Sequence, residues 1–161
     1  MDAYHVVVFG HVAAAMGLFA ALALEWLSLR NLSRAATHEQ AREWASVWAV
    51  LMPLGMPAIL IALASGIYLA TTLGAWELGW VQPAVPALVV VAIAGAIVGP
   101  RRKRLGAALA TGQGALSEAL RAQLGHPLSM ASWRFRTALL SGLVFEMSAR
   151  PAAPGAAISL A

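Results

Sequence analysis

Residues 3–29 read AYHVVVFGHVAAAMGLFAALALEWLSL, an apolar run long enough to cross a bilayer as a helix. The run lacks the basic start and the short apolar core of a secretory signal peptide. Small residues recur at helix-contact spacing, at Gly10 with Ala14 and at Ala13 with Gly17, so a second helix can approach closely. The stretch therefore predicts a membrane-spanning helix that packs against a neighbour.

Three further apolar stretches lie at about residues 44–73, 80–98 and 131–149. Pro53 and Pro57 interrupt the second stretch, which predicts a kink or a locally open backbone there. The fourth stretch is the least apolar, and it reaches span length only if Trp133 and Met147 are included. Together the four stretches predict an all-α, polytopic four-helix bundle that forms one integral membrane domain over residues 1–161.

A different pattern separates the third and fourth stretches, at about residues 101–125. Leucines recur there at helical spacing with polar residues between them, which is typical of an amphipathic helix lying along the membrane surface. Gly112 and Gly114 are expected to break this helix into two pieces.

Composition agrees with a membrane protein, because 60% of the 161 residues are hydrophobic and only 11% are charged. Such a chain is too apolar for a soluble domain or a disordered chain. A nucleic-acid-binding role is also excluded. The net charge is +4, but the basic residues are not interleaved with aromatic residues and the sequence shows no nucleic-acid recognition fold. The chain has no cysteine, which excludes thiolate metal sites and redox thiol pairs.

The eleven basic residues indicate the orientation. Ten of them fall on one side of the four predicted spans, and only Arg150 falls on the other side. By the positive-inside rule the crowded side is cytoplasmic, so both termini lie on the outer side of a bacterial inner membrane. The run Arg101, Arg102, Lys103 and Arg104 serves either as this topology signal or as a contact for anionic lipid head groups.

Several stretches together resemble small bacterial integral membrane proteins of the DUF2269 type, which are similar in layout to four-helix CopD-like membrane domains. The stretches that carry the resemblance are residues 65–70 (SGIYLA), 99–102 (GPRR), 128–136 (LSMASWRFR) and 144–151 (VFEMSARP). The resemblance implies a four-helix fold, a histidine near the start of the first span, at His5 or His11, and a closing motif at residues 147–151. Glu146 departs from the usual apolar residue before that motif, and the resemblance implies no activity.

Ionisable residues inside a span are functional candidates because their burial in lipid is costly. His11 and Glu25 share one stripe of the first helix, about 21 Å apart at 1.5 Å per residue, and we expect that stripe to face the bundle. Glu25 is expected to meet Arg30 or another cytoplasmic cation in a structural pair. Four side chains are expected to form a polar cluster at the outer mouth of the bundle: His11, Glu146, Tyr68 and Gln82. This cluster either handles protons or a metal, or it only fixes helix packing.

Two cofactors fit the residues near the outer face. Haem b would use His11 alone or His11 with Met147, because His38 and His126 belong to the cytoplasmic side and His5 lies about 240° around the helix from His11. Copper would use His5 and His11, which are expected to cluster with Met1 and Asp2 near the outer N-terminus, together with Met147, since imidazole and thioether ligands suit that metal.

These observations favour a non-catalytic accessory or scaffold subunit in contact with lipid and with other membrane subunits or a second copy of itself. The basis is the abundance of small-residue contact faces beside few polar groups within the spans. The alternatives are a haem- or copper-binding protein that uses His11, and proton-coupled transport by an oligomer.

Overall fold

The computed structural model describes residues 2–79 and 81–149, apart from the side chain of Met52. Met1, Trp80, Arg150 and the predicted closing motif beyond Ala149 lie outside the described residues. Five α-helices and one short 3₁₀ turn form the described chain: α1 Ala3–Leu32, α2 His38–Thr72, the 3₁₀ turn Ala75–Glu77, α3 Ala84–Thr111, α4 Glu118–Leu124 and α5 Pro127–Ala149. The predicted all-α class is confirmed.

The four long helices, α1, α2, α3 and α5, pack around one apolar core. Leu18 and Leu22 of α1 meet Ala62 of α2, Val91 of α3 and Leu143 of α5 within it. Alanine on the α2 side lets α1 and α2 approach closely, and Gly17 of α1 would place a Cβ 3.6 Å from Ala58. Part of the small-residue face predicted on the first helix is therefore used inside the chain.

Three helices, α1, α2 and α3, are long and apolar enough to cross a membrane. The fourth long helix, α5, has 23 residues, which corresponds to roughly 35 Å at 1.5 Å per residue. Its length suits a bilayer of about 30 Å. Arg134, Arg136 and Glu146 make α5 the least apolar of the four long helices.

The predicted boundary at the end of the third stretch differs from the structure. Instead of ending near residue 98, α3 continues through Pro100 and the basic run to Thr111. The predicted surface helix at 101–125 is therefore divided between the last third of α3 and the short helix α4. The helix is interrupted at Gly112 and Gly114. Gly114 adopts a left-handed φ of 71°, which favours glycine.

The segment after α3 is held against the start of α2. The backbone N–H of His38 donates to Gly114 O at 2.8 Å, and the N–H of Leu116 donates to Ala36 O at 3.0 Å. Arg42 donates to the carbonyl oxygens of Leu109 and Gly112. These contacts explain why α2 begins earlier than predicted, with Thr37 accepting a hydrogen bond from the N–H of Gln40 as its N-cap. The helix then runs without a break through Pro53 and Pro57.

The two ends of the bundle have different chemistry. We call the end that holds the start of α1, the end of α2, the start of α3 and the end of α5 the His11 end. The opposite end, where α1 finishes, α2 begins and α3 passes into α4, is the Glu25 end. A separate apolar cluster fixes the Glu25 end, with Leu32, Leu105, Leu109 and Leu124 buried together.

Candidate functional site

His11 forms a hydrogen bond between α1 and α2 at the His11 end. Its Nδ1 lies 2.9 Å from Ser65 Oγ, which also donates to Ile61 O at 2.5 Å. Serine has one hydroxyl hydrogen, and the shorter bond to Ile61 takes it, so Ser65 Oγ accepts from His11 Nδ1–H. The Nε2 atom of His11 then carries the lone pair of a neutral imidazole. This tautomer can ligate a metal or accept a proton at Nε2.

Gly66 makes room for the His11 ring. A Cβ added at Gly66 would lie 3.3 Å from His11 Cε1, closer than most side chains tolerate. The small pair of Ser65 and Gly66 therefore supplies both the hydrogen-bond acceptor for the imidazole and the space in which it packs. Sequence analysis gave Ser65 no such role, because the contact depends on how α1 and α2 pack.

A cavity of about 200 Å³ opens beside His11. Its wall is largely apolar and includes Leu63, Trp76 and Leu88, from α2, the 3₁₀ turn and α3. Met147 of α5 also lines it, so the structure brings His11 and Met147, two of the predicted ligands, to one cavity. An imidazole and a thioether in an apolar wall are the donor types that suit copper.

The other residues of the predicted outer cluster are placed apart from this cavity wall. Tyr68 and Gln82 are exposed, and Gln82 donates to Trp76 O at 3.3 Å. His5 is also exposed, with Nδ1 3.9 Å from an Asp2 carboxylate oxygen.

Glu146 of α5 is the most buried carboxyl group at the His11 end, with 0% of the residue exposed. It lies on the same face of α5 as Arg136, Leu140 and Leu143, which are buried as well. Neither carboxyl oxygen has a hydrogen-bond partner among residues 2–79 and 81–149. A buried carboxyl without a partner is costly, so this position is either a functional group or a local weakness of the fold.

An ion cluster occupies the Glu25 end. The Glu25 carboxylate, 3% exposed, accepts from Arg136 of α5 at 2.5 Å and from Arg102 of α3 through the same oxygen. The guanidinium of Arg102 lies 6.0 Å from the ring centroid of Trp48 in α2, so all four long helices meet at this cluster. One carboxylate and two guanidinium groups leave a net charge of +1. The expected pairing of Glu25 with a cation is thus present, but through Arg102 and Arg136. Arg30 lies instead over the ring of Trp26, with 5.3 Å between its guanidinium carbon and the ring centroid.

Trp133 strengthens the same junction, because its Nε1–H donates to Leu22 O at 2.8 Å. Arg136 could have been found from sequence by its spacing, since it lies four and seven residues before Leu140 and Leu143 on the buried face of α5. The partner of Arg136 depends on tertiary packing and has no local sequence signal.

The members of the basic run point to different surroundings. Arg102 turns inward to Glu25, whereas Arg101 donates to Gln123 O at 2.9 Å. Lys103 and Arg104 are exposed. The run therefore combines one structural cation with three whose charge is not neutralised by a carboxylate within the described residues.

No family model matches this chain, no curated protein matches it, and no solved structure matches it.

Proposed function

We propose that this chain is a four-span protein of the bacterial inner membrane that serves as a non-catalytic accessory or scaffold subunit. Its partner would be a larger membrane complex or a second copy of itself. A layout of the DUF2269 or CopD-like type is part of this proposal.

The packing of α5 supports a fourth span. Two of its three charged residues, Arg136 and Glu146, face the bundle, and the third, Arg134, is exposed towards the Glu25 end of the helix. Phe135 and Phe145 on other faces are at least half exposed. Such a distribution suits a helix with lipid outside and protein inside. With four spans, the basic groups at the Glu25 end face the cytoplasm and both termini face outward.

The proposed accessory role is supported by helical glycines that have open space around them. A Cβ added at Gly10, Gly55, Gly99 or Gly106 would meet no atom within 4 Å, unlike one at Gly17, which would contact Ala58. Glycine within a helix costs about 0.5–1 kcal/mol relative to alanine, so open positions are unfavourable unless something uses the space. Close approach of another membrane helix is one such use.

The interior polar groups support the same role. Glu25 is committed to two arginines, and His11 to Ser65, so both groups tie helices to each other. A rigid bundle with open glycines on its surface fits a subunit whose task is to pack against a partner.

Substitution of matched glycines tests the proposal. We expect Gly10→Leu, Gly55→Leu, Gly99→Leu or Gly106→Leu to preserve or raise the unfolding midpoint, since leucine favours the helix over glycine, and at least one of them to abolish a stoichiometric complex isolated from native membranes by crosslinking. Gly17→Leu should instead lower the unfolding midpoint, because the new side chain meets Ala58. A wild-type chain that is a lone monomer in native membranes, or a complex that survives all four open-face substitutions, would contradict the accessory role.

A second candidate function is copper binding at the His11 end, favoured by the cavity that His11 and Met147 share. The fit rests on donor chemistry: a neutral imidazole with its lone pair on Nε2, and a thioether in the same wall. The volume of about 200 Å³ lies below the range of about 300–1,000 Å³ typical of organic-ligand pockets, which favours an ion over haem b.

Metal analysis of the purified protein tests this candidate, together with its visible spectrum. We expect one copper per chain and no Soret band, loss of copper in His11→Ala, and retention in His5→Ala, since His5 lies apart from the cavity wall. A copper-free wild type, a Soret band, or copper retained in His11→Ala would overturn the assignment.

A further inference from the structure

A groove of about 520 Å³ lies at the Glu25 end, between α3 and the end of α4 with the segment that follows it. One wall comes from the face of α3 that carries Ile97, Arg101 and Arg104 at helical spacing. The other wall comes from Gln123 and His126. The groove is distinct from the Glu25 cluster, whose residues do not line it.

The described residues do not neutralise the basic groups of the groove. Within residues 2–79 and 81–149, no carboxylate lies within ion-pair distance of Arg101 or Arg104, whereas neighbouring Arg102 is paired with Glu25. The Nε–H of Arg101 is buried and has no acceptor among the described residues. A ligand cannot reach that buried atom, but the guanidinium charges of Arg101 and Arg104, which have no counter-ion within the described residues, favour an anionic acceptor from outside the chain.

Two contacts fix donors at the groove. Arg101 is held to the end of α4 by its hydrogen bond to Gln123 O at 2.9 Å. His126 Nδ1 accepts from the N–H of Leu128 at 3.2 Å, so the proton of the neutral ring lies on Nε2. The groove thus presents two guanidinium groups and one imidazole N–H.

The groove also changes polarity along α3. Ile97 precedes Arg101 by one helical turn on the side of the apolar span, and it is 63% exposed. In the four-span orientation, Ile97 faces the acyl region while Arg101 and Arg104 lie at the level of the cytoplasmic head groups. A ligand that suits this order has a phosphate joined to an acyl chain.

We propose that this groove binds the phosphate head group of an anionic glycerophospholipid, with Arg101, Arg104 and His126 as donors. The inference rests on the proposed membrane orientation. Guanidinium groups bind phosphate oxygens through paired hydrogen bonds. This geometry gives a preference for phosphate that a diffuse surface charge lacks. Free inorganic phosphate shares the chemistry of the head group but cannot use Ile97.

Native mass spectrometry of the delipidated protein tests the inference, with phosphatidylglycerol, phosphatidylcholine and inorganic phosphate as probes. We expect a bound phosphatidylglycerol that withstands millimolar phosphate. Binding should be at least tenfold weaker for phosphatidylcholine, because its choline cation offsets the phosphate charge and is repelled by Arg101 and Arg104. The double variant Arg101→Gln, Arg104→Gln should bind phosphatidylglycerol about tenfold or more weakly, since charge-assisted bonds to phosphate are lost.

Lys103→Gln with Arg121→Gln is the matched control, because it removes the same charge from two exposed positions outside the groove. We expect it to change the affinity less than threefold. Equal loss in the control, equal binding of phosphatidylcholine, or a site that takes inorganic phosphate but no lipid would overturn the inference.

The proposed membrane orientation fails by a different result. Release of the wild-type chain from membranes by alkaline carbonate would contradict the proposal that the chain is an integral membrane protein. A chain that stays in the membrane but shows no preference for phosphatidylglycerol would overturn only the lipid groove.

Discussion

Glu25 of α1 and Arg136 of α5 are 111 positions apart in the chain and form a buried ion pair at 2.5 Å. With Arg102 of α3 on the same carboxylate oxygen, the pair ties three helices together at one depth of the bundle. Breaking a buried pair by removing one partner leaves the remaining charges uncompensated, at a cost of about 3–5 kcal/mol. The pair is therefore a sensitive point of the fold.

We expect Glu25→Gln to lower the free energy of unfolding by about 3–5 kcal/mol, measured by thermal or denaturant unfolding in detergent. Glu43→Gln is the control, because Glu43 is exposed and forms no ion pair within the described residues. Equal effects of the two substitutions would show that the Glu25 pairs contribute no more than a surface charge.

Replacing the whole cluster should be milder than breaking it. A variant with Glu25→Leu, Arg102→Met and Arg136→Met leaves no charge of the cluster without a partner, so we expect stability close to the wild type. A triple variant less stable than Glu25→Gln alone would show that the ions stabilise the bundle beyond compensating each other.

Gly112 and His38 form the second sensitive contact. A Cβ at Gly112 would overlap the ring of His38, so Gly112→Ala must displace the imidazole. We expect Gly112→Ala to destabilise the fold, while Gly106→Ala, in open space within α3, stabilises it by about 0.5–1 kcal/mol. Both are read from the free energy of unfolding.

The cause can be isolated in a His38→Ala background. Without the imidazole, the space beside Gly112 is free, and the cost of Gly112→Ala should largely disappear. A cost that is unchanged in that background would assign the effect to the backbone of the loop instead of the ring.

Much of the fold can be predicted from local sequence, but the side-chain pairs that join different helices cannot. Apolar length is enough to predict the helices, and Gly112 and Gly114 are enough to predict the break before α4. The third apolar stretch predicts a span that ends near residue 98, whereas α3 continues through Pro100 and the basic run with Arg102 turned inward to Glu25, a contact that has no local sequence signal.

The candidate site shows the same division. Helical spacing predicts that His11 and Glu25 share a stripe, and in the structure Glu25 is buried and His11 lines the cavity. Spacing cannot predict that His11 meets Ser65, because the relative height of α1 and α2 is set by tertiary packing. Estimated depth along the predicted spans groups Tyr68 and Gln82 with His11. In the structure both side chains are exposed.

Removal of the carboxyl group of Glu146 should change the free energy of unfolding in the opposite direction to its removal from Glu25. Since its oxygens have no partner within the described chain, we expect Glu146→Leu to raise the free energy of unfolding by about 1–3 kcal/mol. Glu146→Gln should gain less, because it keeps a buried polar group. Destabilisation by Glu146→Leu would contradict this and assign Glu146 a stabilising partner in the intact protein.

The side of the membrane on which α5 ends tests the four-span architecture most directly. The chain has no cysteine, so Glu77→Cys, Gln113→Cys and Ser148→Cys each introduce a unique thiol at an exposed position. With a membrane-impermeant maleimide on intact spheroplasts, we expect labelling at positions 77 and 148, and labelling at 113 only after permeabilisation. Protection of position 148 together with 113 would show three spans and contradict the four-span bundle.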